Sequence, residues 1–403
     1  MLADAAPTFD QLAPSFTTDP HPALHRLRAA DPIHRAASGD WVLTGYADVV
    51  AALRNPQLHT GWGSTEETRA LYGQGRVFDY LTRRLSRYDP PDHTRLRSLV
   101  SRPFTISRIE GLRGHVVDIT NRLLDRVQDR PTFDFVEAVA HALPSLVICE
   151  LIGIPERDRA AQGSWTPAIQ RAMAYPSVQA HRDAGETAAT AQWAYLEGLV
   201  EVCRKNPGDD VLSSMILAEE QGQRLSHDEL IATLIFLFSA GHSTTRDLLG
   251  SGLVAMLSDR GQFERLVADP ALAAAAVEES LRFESPITML RRRCVADTTV
   301  DNTTIAAGES VVTVLLAANR DPDRFDEPDR FIIDRSDNKP VSFGGGIHHC
   351  VGAALARMEA EIVFHRLATR FPDLTLTDHR IAWRDTPVFR GPLAVNVSPS
   401  PGE

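Results

Sequence analysis

Apolar residues recur along this chain mainly at three- and four-residue intervals, the spacing of one helix face, with short alternating stretches near the start. Asp19-Pro20-His21-Pro22 followed by Ala23 to Ala30 reads as a helix opened by proline. Ile33 to Arg35 and Trp41 to Thr44 read as two strands joined at Ser38-Gly39-Asp40, and Tyr46 to Arg54 as the next helix. Between Asn55 and Tyr88 the pattern weakens, with Gly61, Gly63, Gly73 and Gly75 set among Trp62, Tyr72, Phe78 and Tyr80, and this stretch is expected to be irregular. A further helix starts at Asp89-Pro90-Pro91, and Phe133 to Ile154 carries helical spacing up to Gly153-Ile154-Pro155. Trp165, Met173, Tyr175, Trp193 and Tyr195 stud the region from Gln162 to Gly198.

From Ser226 onward the pattern is strongest. Ser226 and Glu229 form a capping box, and Leu230 to Phe238 is apolar nearly all round, as in a centrally buried helix. Ala240-Gly241-His242-Ser243-Thr244-Thr245 then interrupts it with small and polar residues. Glycine costs a helix about 1 kcal/mol relative to alanine, so Gly241 is expected to make room for something. Thr244 can bond back to a carbonyl and open the helix. By pattern alone this is a polar patch or a kink.

The richest local chemistry lies in Phe343-Gly344-Gly345-Gly346-Ile347-His348-His349-Cys350-Val351-Gly352. Three glycines allow a tight turn and close approach to a flat ligand, and Ala353 to Met358 are helix formers. Cys350 is therefore placed at a helix N-terminus, where unpaired N–H groups and the helix dipole are expected to lower its pKa. Such a cysteine is a metal ligand, a nucleophile served by His348 or His349, or a small buried hydrophobe. A zinc site is disfavoured, because Cys149, Cys203 and Cys294 are scattered without close pairing.

The pattern Phe343-Gly344-x-Gly346-x-His348-x-Cys350-x-Gly352 resembles the haem-binding loop of the cytochrome P450 family, whose cysteine thiolate is the axial iron ligand and favours O–O cleavage. The resemblance extends to His93-Thr94-x-x-Arg97, to Ala240-Gly241-x-x-Thr244-Thr245, to Glu279-x-x-Arg282 and to Glu327-Pro328-x-Arg330-Phe331. It implies a mainly α (α+β) fold, a triangular helical domain with a smaller β-rich region, formed as one domain over residues 1–403. Haem b would be held by Cys350 through its iron, with Phe343, Gly344, Gly352 and Ala240 beside it. His93, Arg97, Arg292 and His348 would hold its propionates. Arg292 is placed by counting back from Thr304-Ile305-Ala306-Ala307-Gly308-Glu309, with Arg293 as the alternative.

Thr244 and Gly241 would shape the oxygen site. Ser243 stands where the family has a proton-donating acid, so water, His242, Asp247 or the substrate would supply protons. Glu279, Arg282 and Arg330 would form a buried scaffold. Residues 55–88 would cover the substrate, residues 162–198 would form a mobile lid, and Ile287 to Leu290 with Pro387 to Phe389 would line the pocket.

Charge adds a partner. The chain carries net -11, which disfavours nucleic acid, yet Leu81 to Arg113 alone carries net +5. Such a patch is a solvated face or steers an acidic electron carrier. The resemblance favours a ferredoxin supplied by an NAD(P)H-dependent reductase, since the chain has no flavin or iron–sulfur motif. Met1 to Pro22, with Asp4, Asp10 and Asp19, does not read as a signal peptide. The run Leu230 to Gly241 is short of the ~20 residues needed to span a bilayer. A cytoplasmic monomer is expected, free of membrane and with reduced cysteines.

The expected activity is monooxygenation of an apolar, medium-sized natural product of bacterial secondary metabolism. Two alternatives remain at this point: oxidative C–C, C–N or C–O coupling or cyclisation on the same fold, prompted by Ser243, and a catalytically silent haem-binding recruitment module.

Overall fold

The apolar run after Ser226 becomes the helix His227–Ser258, and the rest of the molecule is packed around it. Its start is fixed by the capping box: Ser226 Oγ accepts from the Glu229 N–H at 3.2 Å, and the Glu229 carboxylate accepts from the Ser226 N–H at 2.9 Å. The structure, a computed structural model, describes residues 8–60, 65–208, 210–220, 225–378 and 380–399. Asp4, Gly61, Trp62 and Gly63 of the sequence argument lie outside the described residues.

Helices Arg76–Arg83, Ala142–Ile152, Gln179–Lys205, Ala273–Phe283 and Ala353–Arg370 pack against this central helix. Their inward faces supply the two largest apolar clusters, around Val363, Phe364 and Leu253 and around Trp193, Leu234 and Phe238. Burial of this area is the main source of stability. The Thr244 hydroxyl does bond back to the Ala240 carbonyl at 2.6 Å, yet the helix runs through unbroken. Neighbouring helices keep it helical where its own sequence weakens it.

A small sheet flanks the helices. Its strands run Ile33–Arg35, Trp41–Leu43, Ser310–Thr313, Leu290–Cys294 and Leu58–His59 in spatial order. The first pair is the hairpin expected across Gly39, whose φ of 85° the turn requires. Along Leu290–Cys294 the side chains alternate, so Arg292 is buried while Arg291 reaches Asp40 and Arg293 reaches Glu67.

Two sequence expectations are corrected. The stretch from Asn55 to Tyr88 contains helices Thr65–Tyr72 and Arg76–Arg83. Val77, Phe78, Tyr80 and Leu81 share a buried face, while Gly73 and Gly75 lie at helix ends and masked the period. Phe133–Asp134 is a strand paired with Asn396–Ser398, followed by a π-helical turn at Val136–Ala140 before helix Ala142–Ile152. A partner some 260 residues away leaves no local signal.

The buried scaffold forms around a different arginine from the one expected. Glu279 accepts two bonds from Arg282 at 2.8 Å and a further pair from Arg335 at 3.1 and 3.2 Å. Arg330 points outward to Glu327 and contributes its carbonyl, which accepts from Arg282 at 2.8 Å. The network continues to the cysteine loop: Arg282 donates to the Asn319 carbonyl, and the Asn319 side chain binds Ser342 and the Val341 N–H. Full pairing is what lets these charges stay buried.

A second buried carboxylate ties the chain ends together. Glu284 meets His21, Arg320 and Arg390 at 3.0, 3.2 and 2.5 Å. Burial alone would raise its pKa, but Arg390, His21 and Arg320 outweigh burial and hold it well below the usual carboxylate range. A depressed folded pKa stabilises above the unfolded value and is lost as pH falls toward the folded one. Glu284→Gln is therefore expected to lower the unfolding free energy at neutral pH by about 3–5 kcal/mol, because the buried Arg390 loses its carboxylate while Arg320 keeps only Asp329. The deficit should narrow below about pH 4, where the unfolded carboxyl takes up its proton. Urea unfolding from pH 7 to pH 3 checks this, and a constant deficit would contradict it.

Candidate active site

Between Leu230 and Leu257 the central helix is buried except at Phe236, Ser239, Ala240, Gly241, Thr244 and Arg246. Steps of three and four put most of these on one stripe. A stripe of accessible surface on an otherwise enclosed helix marks an internal space along it. Cys350 is recessed yet accessible: protein surrounds it at longer range, while its own surface can be reached by solvent.

Sequence and packing together shape the cysteine loop. The Cys350 N–H donates to the Phe343 carbonyl at 3.0 Å and the Gly344 N–H to Val341 at 2.8 Å. Gly344 and Gly346 have φ of 69° and 63°. A Cβ on Gly346 would lie 2.5 Å from the Leu53 carbonyl oxygen, and one on Gly345 would press on Leu53 as well. Gly345 and Gly346 thus make room for helix Tyr46–Arg54, a protein contact beside any that the loop makes to a ligand. Gly241 behaves likewise, its added Cβ meeting Ile148 at 3.0 Å.

The thiol is not activated as expected from helix position. Burial is the largest influence and pushes the Cys350 pKa up, against the Gly352 N–H, Arg97 and Arg357, which pull it down. The site alone does not yield a ready thiolate. A metal cation at the sulfur would supply the missing charge, since a coordinated thiol is deprotonated outright.

The cationic residues gather beside it. His93 is 3% exposed, its ring centroid 4.3 Å from that of His348, and His348 Nε2 lies 3.1 Å from Asp89. Burial, then His348 and Arg97, lower the His93 pKa to about 4, so it is a neutral donor. For Asp89, burial would raise the carboxyl, but hydrogen bonds from His348 and the Thr60 N–H hold it down. Arg97 donates only to the His349 carbonyl at 2.7 Å, and Arg292, 6% exposed, only to the Arg291 carbonyl at 3.0 Å. Neither forms an ion pair with a carboxylate among the described residues, although the Asp89 charge acts on Arg292 from farther off. Two such guanidiniums invite two carboxylates, and with a single recessed sulfur this donor set fits haem. The described residues hold no cluster of three or more His, Cys, Asp or Glu set to bind a metal.

Across the space, Ser243 is buried, donates to the Ser239 carbonyl at 2.9 Å and accepts from Gln170 Nε2 at 3.0 Å. Gln170, on helix Arg159–Ala174, is held in turn by Arg384 at 2.7 Å, and Arg384 pairs with Asp247 at 2.7 Å. Asp247 also pairs with Arg246, which commits it to holding two cations. His242 turns away from the stripe onto His141, with 3.2 Å between ring nitrogens. Burial, with His141 and Arg246, pushes its pKa down to about 3. It carries no proton to give at neutral pH. Ile287 and Thr288 lie against Phe389, Pro387 and Val388, so the two expected pocket-lining segments meet. Gln170 and Arg384 carry no motif or period in the sequence and could not have been read there.

A model of the cytochrome P450 family matches residues 170–380. The chain is similar to the cytochrome P450 monooxygenase PikC of Streptomyces venezuelae, 38% identical over 398 residues that cover 96% of this chain and 92% of that one. It is also similar to the polyketide biosynthesis cytochrome P450 PksS of Bacillus subtilis, 36% identical over 401 residues, 95% and 96% of the two chains. Among solved structures it is similar to CalO2, with a TM-score of 0.93 at 29% identity over 98% of this chain and all of the other.

Gly346→Ala combines a left-handed φ with a backbone collision, and it is expected to cost about 1–3 kcal/mol. Gly352→Ala, whose added Cβ meets no protein atom within 4 Å, serves as the control and should unfold like the parent. Chemical denaturation of both checks this, and an unperturbed Gly346→Ala would contradict it.

Proposed function

The chain belongs to the cytochrome P450 family, and from that premise we propose that it is a haem-thiolate monooxygenase that inserts oxygen into an apolar, medium-sized natural product of bacterial secondary metabolism. The observation that carries this reading is the accessible stripe from Phe236 to Thr244 on the buried central helix, together with a recessed cysteine that has the Arg97 guanidinium close by. PikC is a monooxygenase by name and PksS is named for polyketide biosynthesis. These names support both the reaction and the substrate class.

Cys350 would take the iron. Arg97 and Arg292, with His93 and His348, would take the two propionates and fix the ring's rotation. Bound haem would supply the oxidising power drawn from dioxygen and two electrons. The protein's part is placement and protons. Thr244 presents its hydroxyl at the stripe, while its proton is engaged by the Ala240 carbonyl. Ser243 is similarly engaged by Ser239, His242 is neutral and Asp247 is ion-paired. Protons therefore reach the site through water or from the substrate.

Electrons come from a ferredoxin and its NAD(P)H-dependent reductase. Arg102, Ile106 and Arg108 are exposed on the basic segment, and Ile347 is exposed on the cysteine loop. Basic groups around apolar contacts suit an acidic carrier. The four cysteines are free, in keeping with a reducing cytoplasm.

Turnover with isotopically labelled dioxygen tests the reaction. Products should gain one labelled oxygen atom, and Ser243→Asp should raise product formed per oxygen consumed. Loss of two hydrogens without oxygen gain would favour coupling, and an unchanged ratio in Ser243→Asp would sink the proton account. For the carrier, Arg102→Ala with Arg108→Ala should slow ferredoxin-driven reduction several-fold and flatten its salt dependence. Unaltered rates at low salt would place the docking elsewhere.

A further inference from the structure

Arg84 follows directly on helix Arg76–Arg83 and reaches toward the far end of the accessible stripe. Its guanidinium carbon lies 5.0 Å from the Tyr80 ring centroid and 6.0 Å from that of Phe236. Nη1 donates to the Tyr80 hydroxyl at 3.2 Å and stands 4.0 Å from Met173 Sδ. Nε is buried and has no partner. All of these contacts are neutral, and among the described residues no carboxylate pairs with Arg84. The acids of the same helix region are engaged elsewhere: Asp79 with Arg83 and Arg76, Glu186 with the Arg76 and Val77 N–H groups.

The surroundings are positive and apolar. Arg87 is close enough for its charge and that of Arg84 to oppose each other, although Asp89 and Glu67 also face Arg87. The Tyr72 phenol, which donates to the Met173 carbonyl at 3.0 Å, feels the Arg84 charge too. A guanidinium is always charged, and burying one donor without a partner is costly. Its planar fork matches a carboxylate in a way a neutral hydroxyl cannot match. Phe236 and Thr244 are eight residues apart on one helix, about 12 Å at 1.5 Å per residue.

We propose that Arg84 binds a carboxylate of the substrate, so that the enzyme acts on an amphipathic molecule with an apolar body and an anionic end about 12 Å from the carbon presented at Thr244. This rests on the monooxygenase reading for the position of the reacting carbon. The carboxylate seats on the terminal Nη groups, and Tyr80, Phe236 and Met173 wall the adjoining apolar chain.

Calorimetric binding of decanoate and of the neutral, isosteric decanamide to the haem-loaded enzyme tests the proposal. Decanoate should bind the parent at least tenfold more tightly. Arg84→Gln should bring the two within about twofold by weakening decanoate alone, and Arg84→Lys should keep part of the preference. Equal affinities in the parent would overturn the proposal. So would equal weakening of both ligands in Arg84→Gln, which is the mark of packing, or loss of haem retention, which would make Arg84 a cofactor residue. Calorimetry needs no turnover, so the two readings fail separately. A tenfold preference without oxygenated product would sustain the carboxylate site while the monooxygenase reading fell. Oxygenation of neutral compounds with no preference would do the reverse.

Discussion

The setting of one sulfur, recessed in protein with Arg97 and Arg357 close by, is the constraint on which the site depends. Burial opposes the Cys350 thiolate, and the fold answers with the Gly352 N–H at the start of helix Ala353–Arg370 and with Arg97 and Arg357 nearby. Those groups are not enough by themselves, since the thiol pKa stays raised. A metal cation at the sulfur would supply the charge that favours a thiolate. Rigidity comes from the Glu279 network, which reaches through Asn319 and Ser342 to the start of the loop. A buried ion network of this kind contributes positioning more than net stability.

The same logic explains the charges around the space. Arg97 lacks a carboxylate beside the cysteine, Arg292 has only the more distant charge of Asp89, and Arg84 lacks one at the Phe236 end of the stripe. Glu284 and Asp247, by contrast, are buried with two arginines each. Between the two ends, Gln170 joins the helix Arg159–Ala174 to Ser243 and, through Arg384, to the C-terminal segment. Movement of that helix would therefore be felt at Ser243 on the central helix.

What could be read in the sequence was what had a local signature. The capping box at Ser226, the central apolar run, the hairpin at Gly39 and Cys350 before its helix all depend on residues a few positions apart. Helices Thr65–Tyr72 and Arg76–Arg83 were hidden by glycines that turned out to lie at their ends. Arg335, Gln170 and Arg384 act through partners 56 to 214 positions away, and nothing local announces them. The glycines of the cysteine loop were legible as necessary, but what they yield to is Leu53, a contact that only packing reveals.

The central claim is that Cys350 is a thiolate ligand to haem iron. The most direct measurement is the absorption spectrum of the reduced, carbon monoxide-bound protein, recorded for the parent and for Cys350→Ala after haem loading. The parent should show the strongly red-shifted Soret band that a thiolate opposite carbon monoxide produces, and Cys350→Ala should lose that band while remaining folded. A parent without the band, or a Cys350→Ala protein that keeps it, would contradict the account.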